Sequence, residues 1–347
     1  MTTGEPSSAP AWAAQAAFVV WSPRYKGTRS AWIASEVGMP EPEYMAPTAG
    51  RGWRAAPLKY PRQLLSTLVT LVRRRPRVVF VQSPPSFATW TAALYAAMAR
   101  AALVIDAHSD AFERGIWTRP RWLNAAVARR AAVTIVTGPH WAEVIAGMGG
   151  RAAIVPAVPT PLTVGEPPPM SGFNVAVVTT WAADEPMEAI FAAARACPAA
   201  TFHVTGRPRA IERYGPDLPA NVRLTGFLDE PAYNGLLARA DAVMCLTTRD
   251  HTMQNGAAEA LYLGTPIITS DWAVLRDYFR RGTIHVDNSA EGIAAAVQRM
   301  MDEGPALRAE VRALRDEIAD RWQRDRGAIV AAVDDQLRKV GRAASGR

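Results

Sequence analysis

Short apolar runs alternate with helix-forming stretches along the sequence, and this alternation limits the possible folds more than any other feature. Residues 17–21 (AFVVW), 78–82 (VVFVQ) and 103–108 (LVIDAH) are examples of such runs. Their nearly continuous apolar residues are typical of strands buried on both faces of a parallel sheet. A proline-rich connector at residues 156–169 divides the series in two. The sequence therefore predicts an α/β protein with two Rossmann-like domains that face a cleft.

The length of the chain and the position of the connector set the predicted domain boundaries. A chain of 347 residues is too long for one ordinary core, and it suits two domains of roughly 150 residues each. The first 16 residues lack the basic start and the apolar core of a signal peptide. The predicted segments are a flexible tail (1–16), a first domain (17–158), a linker (159–171), a second domain (172–317) and a C-terminal helix (318–347).

Positive charge is concentrated in the first half of the chain. Residues 1–168 contain 18 Lys and Arg against 9 Asp and Glu, a net charge of +9, whereas the remaining residues contain 21 against 23, a net charge of −2. This asymmetry indicates an anionic partner, such as a lipid pyrophosphate, an acidic glycan or an anionic membrane surface. Solvated arginine side chains without a partner are the alternative explanation. No recognised nucleic-acid motif accompanies the charge, so nucleic acid is not a predicted partner.

The cysteine content and the hydropathy of the chain favour a cytoplasmic protein. Two cysteines, Cys197 and Cys245, are too few for a disulfide framework and are predicted to be reduced and buried. Residues 87–105 are the stretch most similar to a membrane span, but Arg100 interrupts them, so no span is predicted. The charge of the first half adds the expectation of peripheral contact with the inner face of the membrane.

A predicted helix at residues 61–75 allows two interpretations. Its apolar side chains form a wide stripe of six residues: Leu64, Leu65, Leu68, Val69, Leu71 and Val72. Three arginines follow at residues 73–75. Such a helix can cover a sheet, or it can lie on an anionic membrane surface. Because a strand follows at once, packing against the sheet is the favoured interpretation.

Residues 241–278 are the strongest candidate for a binding site. An apolar run at residues 241–248 predicts a buried strand, and the polar residues 249–254 predict the loop after it. Asn255 is a suitable N-cap and Gly264 is a stop signal, so a two-turn helix is predicted between them. In an open α/β sheet, ligands bind at the carboxyl ends of strands, and free N–H groups at a helix N-terminus favour an anion such as a phosphate.

A carboxylate beside this predicted phosphate site indicates a second recognition element. Glu259 lies four residues after Asn255, so both side chains project from one face of the helix. Because a carboxylate close to a phosphate is electrostatically unfavourable, it is expected to serve another group. The vicinal hydroxyls of a ribose can each donate a hydrogen bond to it, which predicts a nucleotide ligand. The alternative is an ordinary strand-loop-helix in which Glu259 is a solvated surface residue.

At these residues the sequence resembles glycosyltransferases of the two-domain GT-B fold, in particular those of family 4. Residues 255–271 (NGAAEALYLGTPIITSD) are similar to the family segment in which a glutamate before a small-residue helix precedes Gly-x-Pro and a short strand. The resemblance implies that Glu259 holds the donor ribose and that residues 252–256 cradle the diphosphate. His251 replaces a second family glutamate. The spacing from Asn255 to Glu259 also resembles that of inverting nucleotide-sugar transferases, so the stereochemistry stays open.

The resemblance implies further donor contacts in the second domain. Family members place an arginine and a lysine in the loop after its first strand, where this chain has Thr180 and Glu185. Arg207, Arg249 or the amides before Asn255 would then neutralise the diphosphate.

The nucleobase pocket is implied at a later strand-to-helix turn. The complete set of predicted donor-binding residues is Thr180, Arg207, Phe227, Leu228, Arg249, His251, Thr252, Met253, Gln254, Asn255, Gly256 and Glu259. Among these, Phe227 and Leu228 would line the base.

The first domain would bind the acceptor if the resemblance holds. A basic loop at residues 22–30 follows the first predicted strand. Its residues Lys26, Gly27 and Arg29 are predicted to meet a phosphate or carboxylate of the acceptor.

The predicted catalytic pair is His108 and Asp110. His108 ends the strand at residues 103–108 and matches a family histidine that lies beside the donor sugar. An adjacent carboxylate could orient this histidine or, in an inverting enzyme, serve as the base that deprotonates the acceptor hydroxyl. The alternative is a capped turn without chemistry.

The resemblance therefore implies a glycosyltransferase that moves a sugar from a nucleoside-diphosphate sugar, with UDP or GDP as the nucleotide, to a cell-envelope glycan or a lipid-linked saccharide. In this fold the last helix crosses back to the first domain. No cofactor or metal is predicted, because the histidines are scattered and no Asp-x-Asp motif is present. A nucleotide-sugar epimerase of the UDP-N-acetylglucosamine 2-epimerase type and a degenerate member that binds nucleotide without turnover are the two alternatives.

Overall fold

The chain folds into two compact units, each built on one parallel sheet. The computed structural model describes residues 9–22, 29–45, 56–113, 115–157, 162–206 and 218–345. The units are Met1–Val158 with Trp322–Arg347, and Pro159–Arg321. Both sheets have six strands, and all neighbouring strands are parallel. The predicted α/β class with two Rossmann-like domains is confirmed.

The first unit has the strand order β2-β1-β3-β4-β5-β6. Its strands are β1 (Ala16–Val20), β2 (Glu43–Tyr44), β3 (Val78–Ser83), β4 (Ala102–Ala107), β5 (Val133–Val136) and β6 (Ala152–Ile154). Its described helices are α1 (Arg29–Val37), α2 (Ala56–Arg74), α3 (Ser86–Ala99), α4 (Asp110–Glu113), α5 (Arg121–Arg130) and α6 (Pro139–Gly147). Every residue of β1 and β4 is buried, as expected for a parallel sheet covered on both faces.

The second unit has the strand order β12-β11-β10-β7-β8-β9. Its strands are β7 (Phe173–Val177), β8 (Ala200–Thr205), β9 (Val222–Gly226), β10 (Ala242–Cys245), β11 (Ile267–Ser270) and β12 (Thr283–Val286). Its described helices are α7 (Met187–Ala196), α8 (Glu230–Arg239), α9 (Asn255–Leu263), α10 (Ala273–Tyr278) and the first part of α11 (Ala290–Ser345). β10 lies between β7 and β11, so the loops after these strands meet at one edge.

The last helix contributes apolar side chains to both units. Ile293 and Leu307 of α11 lie in the core of the second unit, and Trp322 and Ile329 lie in a core of the first. The helix continues through Pro305, because apolar residues on both sides of this proline pack in the same core.

Residues 9–16 are ordered, which corrects the predicted flexible tail for this part of it. Ala13–Gln15 form a 3-10 turn that leads into β1. The Trp12 ring is buried 6.2 Å from the Phe80 ring, and its Nε1 donates a 2.9 Å hydrogen bond to Asp334. The apolar surface of one tryptophan thus anchors a segment whose composition is otherwise that of a loose tail.

Helix α2 turns most of its apolar stripe away from the sheet, which contradicts the favoured interpretation. Its exposed apolar side chains are Leu58, Leu64, Leu65, Val69 and Val72. Leu71 is buried, but polar side chains share the inward face. Thr67 accepts a 2.9 Å hydrogen bond from Trp21 Nε1, and Gln63 donates one of 2.8 Å to the Met45 carbonyl. Within the described residues, no helix has the length and apolarity needed to cross a membrane.

Candidate active site

The strand, loop and helix predicted within residues 241–278 are present at the carboxyl edge of the second sheet. Helix α9 ends at Gly264, whose φ of 77° lies in the left-handed region, as predicted. Its N-cap is Gln254, so the prediction that Asn255 is the N-cap is wrong by one residue. The backbone of Gln254 is extended, and no side chain caps the helix. The first turn thus has no side-chain cap at Gln254, and its Gly256 and Ala257 amides face the Cys245 thiol.

Gly256 brings the start of α9 close to the end of β7. A Cβ at this position would lie 2.6 Å from Cγ1 of Val178, so only glycine permits this approach. The first turn then lies over Cys245, whose thiol donates a 3.2 Å hydrogen bond to Gln254. Burial raises the pKa of Cys245 to about 12, against the opposing effect of the Ala257 amide. This cysteine is a neutral packing residue.

Glu259 is held in a half-buried position on α9. Its Oε2 accepts a 2.7 Å hydrogen bond from the Tyr233 hydroxyl of α8. Burial raises the pKa of Glu259, and the hydrogen bond from Tyr233 opposes that rise. Within the described residues, Tyr233 is its one hydrogen-bond donor, so Oε1 can accept from a ligand. Glu259 is therefore not the solvated surface residue of the alternative interpretation.

A polar network fixes the loop that follows β10. The Thr247 amide donates a 2.8 Å hydrogen bond to Ser270, whose hydroxyl donates one of 2.7 Å to Asn288. The Thr247 carbonyl accepts from Trp272 Nε1 at 2.9 Å and from Asn288 Nδ2 at 3.1 Å. The Thr247 hydroxyl donates a 2.7 Å hydrogen bond to Asp184 in the loop after β7. The strand ends thus hold this loop from three sides.

The remaining predicted donor residues of this loop precede α9 directly. Arg249, Thr252 and Met253 are half-buried. His251 has a φ of 55°, a region that non-glycine residues rarely adopt. Its amide donates a 2.6 Å hydrogen bond to Asp250 Oδ1, and its Nε2 lies 3.5 Å from Asp250 Oδ2. Asp250 therefore stabilises the turn in which His251 lies.

In the loop after β7, the carboxylate of Glu185 binds backbone amides of the same loop. The Glu185 carboxylate accepts hydrogen bonds from the amides of Thr180 and Ala182 at 2.9 and 2.8 Å, and from the hydroxyls of Thr179 and Thr180. A carboxylate held by two backbone amides uses donors that could otherwise bind another anion. Thr180 is exposed but its amide and hydroxyl bind Glu185, and its contact with the donor stays a prediction.

Phe227 and Leu228 follow β9, where the nucleobase pocket was predicted. Phe227 is 71% exposed and Leu228 is half-buried. The contact of both residues with a nucleobase stays a prediction. Arg207, Lys26 and Gly27 lie outside the described residues.

In the first unit, His108 lies beside a buried carboxylate. His108 Nε2 is 3.5 Å from Asp106 Oδ2, the separation of a loose ion pair. Asp106 accepts a 2.7 Å hydrogen bond from the Ser30 hydroxyl and another from Arg29. Burial opposes its ionisation, but Arg29 and His108 hold the pKa of Asp106 well below its usual value. Asp106 thus takes the orienting position that the sequence analysis gave to Asp110, which begins α4.

The contacts of Arg29 correct its predicted role in acceptor binding. Its side chain is only 9% exposed, and its Nη2 donates to Asp106 and, at 2.9 Å, to the Ala107 carbonyl. Its Nη1 donates a 3.3 Å hydrogen bond to the Val155 carbonyl. The guanidinium therefore neutralises Asp106 inside the first unit.

Sequence reasoning missed the contacts of three residues at these sites. Tyr233 lies 26 residues before Glu259 on another helix, and no local pattern joins the two. Glu185 was noted only as the replacement of a family lysine, although a carboxylate after two threonine hydroxyls is a signal for a closed loop. Asp106 was expected on the same side of its strand as His108 and Asp110, but its ion pair with Arg29, 77 residues away, was not predicted.

Comparison with protein families gives two matches, one in each unit. The Glycosyl transferase 4-like domain matches residues 8–161, and the family described as Glycosyl transferases group 1 matches residues 176–303. A search of curated protein sequences finds no significant relative.

Several solved structures share the fold. Anabaena Alr3699/HepE in complex with UDP-glucose is 12% identical, with a TM-score of 0.63 over 96% of this chain and 100% of that chain. Sucrose-phosphate synthase from Thermosynechococcus elongatus is 17% identical, with a TM-score of 0.62 over 86% and 83%. A Listeria monocytogenes protein assigned as a UDP-N-acetylglucosamine 2-epimerase is 12% identical, with a TM-score of 0.62 over 87% and 91%.

Identities this low show the fold alone, so the two domain matches decide the family. Both are glycosyltransferase domains, and together they span both units. This chain belongs to the group 1, family 4-like glycosyltransferases, enzymes of the GT-B fold that transfer a sugar.

Proposed function

We propose that this glycosyltransferase holds a UDP-sugar or a GDP-sugar on the first turn of α9. The observation that carries the proposal is the carboxylate of Glu259, which is half-buried, is engaged through Oε2 alone among the described residues and lies one turn from the N-terminus of α9. Its Oε1 accepts hydrogen bonds from the ribose hydroxyls, while the positive end of the α9 dipole and the amides before Asn255 face the diphosphate. Arg249 supplies positive charge from the loop after β10.

The same arrangement favours cleavage of the bond between the donor sugar and the diphosphate. When the bond between the sugar and the diphosphate breaks, negative charge grows on the leaving phosphate oxygen. Fixed amides and the positive end of a helix dipole stabilise that charge without the need to reorganise. No metal or cofactor is part of this proposal. Alr3699/HepE binds UDP and UDP-glucose, which supports UDP as the first nucleotide to test.

On the first unit, His108 is the proposed base for the acceptor. Its imidazole takes the proton of the acceptor hydroxyl as that oxygen forms the new bond to the sugar. The positive charge that results on His108 is stabilised by Asp106, 3.5 Å away. Asp106 is a positioning residue in this scheme, since it acts through His108. The proposed acceptor is a glycan or a lipid-linked saccharide of the cell envelope.

The nucleotide site is tested by calorimetric titration with UDP, GDP, ADP and TDP. Glu259→Ala should weaken binding of the preferred nucleotide by roughly ten- to a hundredfold, the value of a charge-assisted hydrogen bond. Glu230→Ala is the matched control, because Glu230 is an exposed acid whose charge acts on Glu259 without being proposed to contact the ligand. Its removal should not weaken binding. Equal affinity of the wild type and Glu259→Ala would remove Glu259 from the site.

Incubation with the donor alone separates transfer from its alternatives. A nucleotide-sugar epimerase would convert the donor without an acceptor, whereas a glycosyltransferase would leave its sugar unchanged or hydrolyse it slowly. A degenerate member would bind the nucleotide tightly and form no product with any acceptor of a broad panel. We expect an unchanged donor and product formation only with acceptor present.

The outward face of α2 supports peripheral binding of the first unit to an anionic membrane. Leu65 and Val72 are 63% and 54% exposed near the middle and the end of this helix. Residues 44–105 contain nine Lys and Arg and no Asp or Glu. The apolar face of such a helix can contact the hydrocarbon of a membrane, and the basic residues around it can contact the anionic headgroups.

Vesicle co-sedimentation tests this membrane surface. The wild type should bind vesicles of mixed phosphatidylcholine and phosphatidylglycerol more tightly than vesicles of phosphatidylcholine alone, and salt should weaken that binding. Leu65→Gln/Val72→Gln should lower the affinity by about tenfold or more, because two buried apolar side chains are lost. Val164→Gln, at an apolar residue of the second unit that is also exposed, is the control. Equal binding to both vesicle types would refute the proposal.

A further inference from the structure

The first unit contains a cavity that the proposed donor site does not use. Its volume is about 620 Å³, which lies in the range of small-molecule pockets. The ends of β3, β4 and β5 form one wall, and α3, α5, α6 and the loop after α4 form the others. Its aromatic lining consists of Phe112, Trp117, Trp122 and Trp141. The rings of Phe112 and Trp141 are stacked at 4.8 Å.

Several polar side chains at the inner wall form hydrogen bonds within the protein. Asn124 donates a 3.0 Å hydrogen bond to the Trp117 carbonyl, and Ser86 also donates to it. Thr89 donates one of 2.8 Å to the Ser86 carbonyl. Thr134 is 1% exposed, and its hydroxyl has no hydrogen-bond partner among the described residues. A buried hydroxyl without a hydrogen-bond partner lowers the stability of the protein unless a ligand supplies that partner.

Water is a poor candidate for that partner. A buried water needs two to four polar neighbours, and apolar cavities of this kind stay dry. The groups that line the inner wall are mostly apolar, and the hydroxyls of Ser86 and Thr89 are already engaged. The cavity therefore suits an apolar group that carries a single oxygen.

The position of the cavity relates it to the proposed catalytic histidine. Ser83 and Ala107, the last residues of β3 and β4, both line it. Ala111 and Phe112 of α4 line its outer part. His108 lies in sequence between these two sets, at the same carboxyl edge of the sheet, although it is not among the residues that line the cavity. A molecule with its apolar end in the cavity would thus have its polar end at this edge.

We propose that the cavity binds the apolar part of the acceptor, which is therefore an amphiphile with a hydrocarbon chain or an aromatic ring next to its sugar-accepting hydroxyl. This inference rests on the proposed function, because it takes His108 as the acceptor base. It assigns to the first unit a binding site distinct from the basic loop at residues 22–30.

Direct binding of alkyl glucosides tests the cavity without any transfer reaction. Hexyl, heptyl and octyl β-D-glucoside, titrated calorimetrically below their micelle concentrations, should bind about fourfold more tightly for each added methylene. Glucose alone should not bind. Phenyl β-D-glucoside forms the second arm, and the tighter of the octyl and phenyl ligands shows whether the natural acceptor carries a chain or a ring. Affinity independent of chain length would overturn the proposal.

Two glycine variants show whether the ligand occupies this cavity. Gly147 is an exposed residue that lines the cavity, and a Cβ there would meet no atom within 4 Å, so Gly147→Trp should obstruct the cavity without disturbing the fold. Gly327, on α11, has the same open surroundings away from the cavity and gives the matched control, Gly327→Trp. Octyl glucoside affinity should fall about tenfold or more in the first variant, as several methylenes lose their site, and stay unchanged in the second. Equal affinities in both variants would place the ligand elsewhere.

A variant of Thr134 tests ligand binding in the cavity independently of the glycine variants. Thr134→Val keeps the shape of the side chain and should weaken octyl glucoside binding by about two- to tenfold, the value of one hydrogen bond. Its melting temperature should not fall, because no internal hydrogen bond is lost. Unchanged affinity would remove Thr134 from the site. Nucleotide titration reports on the second unit, so failure of the donor proposal and failure of the cavity proposal can be told apart.

Discussion

Replacement of His108 by alanine should lower the turnover number by about 10²- to 10⁴-fold, the usual contribution of a positioned general base. Nucleotide affinity should be nearly unchanged, because the proposed donor site lies on the other unit. The side chain is 35% exposed and close to Asp106, so it is both accessible to a substrate and oriented by the protein. Steady-state kinetics with a saturating donor, together with calorimetric titration of the nucleotide, would measure the two quantities separately.

The matched control is His140→Ala, at an exposed histidine of α6 in the same unit. This change should leave turnover unaffected. If His108→Ala lowered nucleotide affinity as much as turnover, the histidine would belong to donor binding and another group would have to accept the proton. Asp110→Asn distinguishes the two carboxylates. A large loss of turnover in that variant would return Asp110 to the catalytic role that the sequence first gave it.

Replacement of Asp106 by alanine should lower the free energy of unfolding by about 3–5 kcal/mol, as found when one member of a buried ion pair is removed. The Arg29 guanidinium would remain nearly buried without its carboxylate, and Ser30 would lose the acceptor of its 2.7 Å hydrogen bond. Chemical denaturation followed by tryptophan fluorescence would measure the loss. The double variant Asp106→Ala/Arg29→Met should recover most of it, because no unpaired charge is left.

The same ion pair gives stability a defined dependence on pH. The folded-state pKa of Asp106 lies below its usual value, so the folded protein favours the ionised carboxylate. The contribution is complete above about pH 4, the usual pKa of an aspartate, and it disappears as the pH falls towards the lower folded-state value. In Asp106→Ala/Arg29→Met this part of the acid sensitivity should be absent. Identical acid unfolding of the wild type and the double variant would contradict the assignment.

The sequence predicted the strands well because their pattern is local. Residues 241–248 are apolar and are bounded by polar residues, and β10 forms within them as Ala242–Cys245. Gly264 ends α9 as expected, since a left-handed residue at a helix C-terminus favours glycine regardless of its neighbours. The family, the fold and the activity followed from such local segments and were confirmed.

The errors concern partners that are distant in sequence. Arg29 looks like a ligand-binding arginine in a basic loop, and only the folded chain shows that it is paired with Asp106, 77 residues away. The periodicity of α2 gave a correct apolar stripe but not its direction. A hydrophobic stripe identifies the residues on one face of a helix. It does not identify what that face contacts, which can be the sheet, the solvent or a membrane. Direction is therefore set by tertiary structure.

The last helix has a consequence for how this protein can be divided. A stop codon after Arg321 would remove Trp322, Ile329 and Val333, and with them the aromatic and aliphatic cover over Phe18 and Phe80. The hydrogen bonds from Trp322 to Glu36 and from Arg326 to its carbonyl would be lost as well. The core of the first unit is thus complete only after residues 322–333 have been synthesised, and until then its apolar side chains stay exposed.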